Sequence, residues 1–142
     1  MKKIFLTTIA FMVLFSGTAC ALDLNSRPGL GFKVQGWVPM ATFKIFFDTK
    51  NALEIEGGYS TLGWAIQGYY VNHFMKVGSA LPYFTVGGGV NSGAFAIIGG
   101  VGVEYFMNNN LGVFVADKAT IIIAPNVLAF MGGVESGLRF YF

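Results

Sequence analysis

Chemistry needs a titratable or nucleophilic group in a useful setting, and this sequence offers few. His73 is its only histidine and Cys20 its only cysteine. Acid–base hydrolysis needs a histidine acting with a hydroxyl and a carboxylate. Around Asn72-His73-Phe74 no ordered triad can be assembled, so His73 reads as a solvated or interfacial turn residue. One histidine without a partner thiol supplies no ligand set for a transition metal. Glu54 and Glu56 stand two residues apart and would share one strand face, a spacing open to glycoside chemistry. An ion-pair lattice with Lys33, Lys44 and Arg139 is the favoured reading of the same pair. The clusters Gly87-Gly88-Gly89 and Gly99-Gly100-Val101-Gly102 form no G-x-G-x-x-G before a helix and lead to no G-K-[ST]. They read as bends and close strand packing. The expectation is therefore no catalytic residue, no cofactor and no metal.

The elements that hold these residues follow from composition. Hydrophobic residues make up 54% of the 142 positions, aromatic residues 16% and charged residues 11%. Such a chain is too apolar for disorder, and a soluble domain draws about a quarter of its residues from Asp, Glu, Lys and Arg. The composition points to a membrane. It holds no basic patch for nucleic acid.

Met1 to Ala21 reads as a secretory signal peptide: Lys2 and Lys3, an apolar core over Ile4–Phe15, then small residues. The core is too short to span a bilayer as a helix, which takes about 20 apolar residues. Ala19-Cys20-Ala21 fits cleavage after Ala21, which leaves residues 22–142 as one domain without a thiol. The alternative is a lipoprotein acylated at Cys20, although Gly17-Thr18-Ala19-Cys20 lacks the usual leucine three residues before the cysteine.

Beyond Ala21 the chain alternates apolar and polar residues in eight runs: Leu30–Val38, Ala41–Phe47, Ala52–Ser60, Gly63–Asn72, Leu81–Val90, Phe95–Phe106, Leu111–Ile123 and Ala129–Phe142. The breaks hold turn formers such as Asp48-Thr49-Lys50-Asn51, Asn91-Ser92-Gly93 and Pro125-Asn126. Phe32 and Val34 oppose Lys33, Leu53 and Ile55 oppose Glu54 and Glu56, and Phe140 opposes Arg139. Lys33, Lys44, Glu54, Glu56, Glu104, Lys118, Glu135 and Arg139 all fall on the polar face. Asp117 is the exception, and a bulge near Ala116–Lys118, or a strand that has already left the membrane there, is expected to accommodate it. A helical span over the uncharged Val77–Val103 is disfavoured by its eight glycines and Pro82.

An eight-stranded barrel has an interior only wide enough for its own side chains. The apolar face carries bulky rings and the polar face is rich in Gly, Ala and Thr, so crowding favours the polar face inside. Its eight charges balance at zero, as groups removed from water require. Sheet crosses hydrocarbon only as a closed barrel, with runs of about 9–11 residues. Trp37, Trp64, Tyr59, Tyr70, Tyr105 and Tyr141 then suit interfacial aromatic girdles.

Leu138-Arg139-Phe140-Tyr141-Phe142, with apolar residues two and four places before a final Phe, resembles the closing strand of bacterial outer-membrane barrels. Gly100–Phe106 followed by Asn108-Asn109-Asn110 and Leu111 is similar to a strand-turn-strand unit of small eight-stranded barrels of the OmpA/OmpX/opacity type. The resemblance implies a closed antiparallel up-and-down transmembrane barrel in the outer membrane of a Gram-negative cell. It implies outer-membrane lipid as surroundings and Leu138, Phe140 and Phe142 as the signal read by the barrel assembly machinery. It also puts the termini and the turns at Asp48–Asn51, His73–Ala80 and Met107–Asn110 on the periplasmic side. The outward connections, Gly36–Met40, Ser60–Gly63, Asn91–Ala94 and Ala124–Leu128, are short, which speaks against an adhesin. The peptidoglycan-binding domain that some relatives carry is expected to be absent.

The function expected is a non-enzymatic, structural role in membrane integrity, with a polar, ion-paired lumen. The alternatives are a narrow pore for small solutes or ions, and a periplasmic barrel binding an apolar ligand.

Overall fold

The computed structural model describes residues 24–36, 38–60 and 63–142. The signal peptide, Cys20, Asp23 and Trp37 lie outside them. Eight strands follow in order: β1 Pro28–Gln35, β2 Val38–Phe46, β3 Asn51–Ser60, β4 Gly63–His73, β5 Ala80–Asn91, β6 Ala94–Phe106, β7 Leu111–Ala124 and β8 Val127–Tyr141. Each pairs antiparallel with the next, and β8 returns to β1, closing the sheet. No helix among the described residues is long and apolar enough to cross a membrane, which says nothing of strands.

The register fixes the shape. A circuit of paired residues runs from Tyr141 through Gly29, Lys44, Glu54, Tyr69, Gly87, Ile98 and Thr120, and comes back to β8 at Met131. The stagger over one turn is therefore ten residues, from 141 to 131. Closure with stagger tilts the strands, typically by about 35–45°, and eight strands leave a shaft that side chains fill. The rim is a staircase: strand length climbs from 8 residues in β1 to 15 in β8. The last rung shared by β1 and β8 is Gln35↔Glu135, so Val127–Val134 rises above it.

Turn chemistry sets the two ends. At the tall end Ser92-Gly93 makes a two-residue hairpin with positive φ at both Ser92 (29°) and Gly93 (99°), as the right-handed strand twist favours, and Pro125-Asn126 makes another with positive φ at Asn126 (66°). At the other end Asp48 Oδ1 accepts from the backbone N–H of Lys50 at 2.6 Å and of Asn51 at 2.8 Å. Asn108 Oδ1 repeats the arrangement with Asn110 at 2.8 Å and Leu111 at 2.9 Å.

Four expectations need correction. Val38 belongs to β2, because the chain reverses at Gly36, whose φ is 60°. The connections at 36–40 and 124–128 shrink to two residues for the same reason, the strands pairing up to Gln35↔Val38 and Ala124↔Val127. No bulge occurs at Asp117: the ladder runs unbroken through Ala116, Asp117 and Lys118 on both sides. His73 is not in a turn but is the last residue of β4, since its N–H is held by the Lys50 carbonyl at 2.7 Å.

Candidate functional site

The barrel interior is where the charges meet. Lys33, Lys44, Glu54, Glu56, Glu104, Lys118, Glu135 and Arg139 are all buried, while their neighbours Phe32, Phe43, Ile55, Val134, Leu138 and Phe140 are exposed on the outer surface. Alternation alone produces this: one residue of shift along a strand exchanges inside for outside. An apolar-ligand barrel needs the opposite facing, with the rings of β1 and β3 at the centre.

The inward charges form two tiers. In the tier nearer the tall rim, Lys33 binds Glu56 and lies 2.6 Å from Glu135 Oε2. Lys118 lies 2.9 Å from Glu135 Oε1 and 3.2 Å from Glu56 Oε1. These contacts make a closed four-membered ring of alternating charge, with the Lys118 ammonium 3.8 Å from the Tyr69 ring centroid.

The second tier is a chain. Arg139 binds Glu54, and its Nη1 lies 3.1 Å from Glu104 Oε1. Tyr141 Oη donates to that same oxygen at 2.6 Å, and Lys44 Nζ sits 2.7 Å from Glu104 Oε2. Lys44 continues to His73 Nε2 at 3.2 Å, and His73 Nδ1 reaches the Lys50 carbonyl at 3.1 Å. The bonding is self-consistent when Nδ1–H donates to that carbonyl and Nε2 accepts from Lys44. Each tier holds two cations and two carboxylates, so neutrality holds tier by tier as well as in total.

Close packing makes room for this network. A Cβ added at Gly102 would stand 2.6 Å from the Tyr83 ring, and one at Gly29 would stand 2.6 Å from the Tyr141 ring. Both glycines therefore clear a path for a lumen aromatic.

Sequence reasoning missed several lumen residues. Tyr141, read as a girdle aromatic, is fully buried beside Glu104, because it shares the parity of Arg139. His73 and Tyr69 are likewise inward, with the parity of Gln67 that the alternation of β4 already displayed. Of the other girdle aromatics, Tyr59, Trp64 and Tyr70 are exposed on the outer surface, and Tyr70 Oη donates to Asn51 Oδ1 at 2.5 Å.

Chemically, the arrangement is built to neutralise. Every carboxylate in it is met by an ammonium or guanidinium, and the His73 imidazole has both nitrogens engaged. His73 also forms part of the wall of a cavity of about 320 Å³ at the turn end, shared with Leu24, Thr49, Lys50, Lys76 and Leu81. No group of three His, Cys, Asp or Glu side chains among the described residues could hold a metal ion. Leu138 and Phe140 face outward from β8, and the Phe142 N–H bonds the Pro28 carbonyl at 3.1 Å.

No family model matches the sequence, and no curated protein matches it. Among solved structures, the crystal structure of the N-terminal β-barrel domain of Pseudomonas aeruginosa OprF matches with a TM-score of 0.62. The fold is that of the OprF barrel domain. The superposition covers 82% of this chain and 96% of that one at 13% sequence identity, so the likeness lies in architecture. The closed eight-stranded antiparallel barrel expected from the sequence is the architecture observed.

Proposed function

We propose that this chain is an integral outer-membrane barrel without catalytic activity, which serves membrane integrity and whose lumen is plugged by its own ion pairs. One observation carries the reading: eight charged side chains are buried and mutually paired at the centre while the outer surface exposes Leu30, Phe32, Ile55, Val86, Ile97 and Phe130. In water this arrangement would be inverted, since exposed apolar surface is driven inward. In hydrocarbon it is the stable one, because every strand except at the rim finds its backbone partners within the closed sheet. The structural likeness to the OprF barrel domain supports the same reading, as do the closing-strand residues Leu138, Phe140 and Phe142, which would be read by the assembly machinery. The engagement of both His73 nitrogens, by Lys44 and by the Lys50 carbonyl, supports a structural role over an enzymatic one.

Fractionation and gel mobility test the proposal. The chain should remain in the outer-membrane fraction after carbonate extraction and should migrate differently before and after boiling. Release by carbonate or high salt without detergent would contradict it.

A further inference from the structure

We infer that the outer surface around Asp117 is a docking face, within the membrane, for a different integral membrane protein that presents a lysine or arginine; this rests on the outer-membrane reading above. Asp117 points outward from β7, directly between Val101 of β6 and Val134 of β8. Those neighbours are 62% and 63% exposed. Asp117 is the seventh of the 14 residues of β7, and Val134 the eighth of the 15 residues of β8. The carboxylate thus stands at mid-height of the tallest part of the wall, where a bilayer is driest. Among the described residues nothing bonds it. An ionisable group at that depth is costly and marks a place where a partner group is supplied.

The occupant must bring a cation at the depth of the strands, and among the described residues no strand of this chain offers one outward. Its strand cations, Lys33, Lys44, Lys118 and Arg139, all point inward and are buried. A second copy placed on the same face would set carboxylate against carboxylate. The neighbouring row is Gly99, Ala119 and Gly132, paired side by side across β6, β7 and β8. Next to it stand Ile97, Ile121 and Phe130. Small residues at that row put little side-chain bulk beside Asp117 and so admit close approach of a partner's backbone.

The test places a photoactivatable benzophenone amino acid at position 134 of the full chain in intact outer membranes and analyses the adducts by mass and sequencing. The inference predicts an adduct with one different membrane protein. Its yield should fall at least about tenfold in Asp117→Asn, as expected when one member of a desolvated charge pair is removed. Asp117→Lys should restore it only when combined with an acidic replacement of the basic residue found at the crosslinked site. An adduct of twice the chain's mass, adducts with lipid alone, or an adduct unaffected by Asp117→Asn overturns the inference. Heat-dependent mobility of Asp117→Asn reports its fold. Loss of both that mobility shift and membrane retention in the wild-type chain would sink the membrane reading itself, which separates the two failures.

Discussion

Arg139 and Glu104 lie 35 positions apart in the chain, yet the guanidinium Nη1 stands 3.1 Å from Glu104 Oε1 inside the barrel, and the same guanidinium also binds Glu54. One cation thus neutralises carboxylates from two different strands, and Lys44 completes the neutralisation of Glu104 at 2.7 Å.

Removing that cation is the sharpest test of the lumen network. Arg139→Leu leaves buried carboxylates short of a partner, which costs about 3–5 kcal/mol. Phe140→Leu, one residue along and exposed on the outer surface, should cost less than about 1 kcal/mol. Urea-unfolding midpoints in detergent or lipid measure both. Equal or reversed losses would contradict the facing of β8.

Glycine is a packing requirement at Gly102, which faces the lumen, and not at Gly99, which faces outward from the same strand. Gly102→Val would drive a side chain into the Tyr83 ring, 2.6 Å from the first added carbon, at about 1–3 kcal/mol. Gly99→Ala meets nothing closer than the Thr85 carbonyl at 3.8 Å and should stay within about 0.5 kcal/mol. The same unfolding assay ranks them. A neutral Gly102→Val would show that the lumen is looser than its geometry indicates.

The turn at Asp48 gives a pH dependence. Its carboxylate accepts hydrogen bonds from the Asn51 side chain and from the Lys50 and Asn51 backbone N–H groups, which hold its pKa below the ordinary aspartate value. A depressed carboxyl pKa adds stability that is fully present above the unfolded value of about 3.9 and disappears as pH falls through the folded one. Asp48→Asn should therefore be less stable than wild type near neutrality, with the difference shrinking as acid is added. A difference that grows toward low pH would contradict the turn's hydrogen-bond arrangement.

Much of this was legible beforehand, for a local reason. Strand side chains alternate, so Glu54 and Glu56 announced their face through Leu53 and Ile55. Partner choice was not legible. Arg139 meets Glu54 across 85 positions because the ten-residue stagger levels β8 with β3, and no short window of sequence contains that number. His73 was misread because the end of β4 is set by the Lys50 carbonyl, 23 positions away. Asp117 carried a misleading expectation: alternation placed it outside, and the ladder keeps it there without a bulge.

A plugged lumen should not conduct. In planar bilayers the purified chain is expected to give no steady single-channel current. A sustained current that changes on Glu104→Gln or Arg139→Ala would establish the narrow-pore reading in its place.

In the proposed membrane setting the rings look toward lipid and the charges look inward. Nitroxide labels at Phe32→Cys and Ile97→Cys, in a chain with Cys20→Ser reconstituted in phospholipid bilayers, test it directly by collisional relaxation. Relaxation at both positions should be enhanced by oxygen and little affected by a water-soluble nickel chelate. Strong enhancement by the chelate, with oxygen weak, would contradict it.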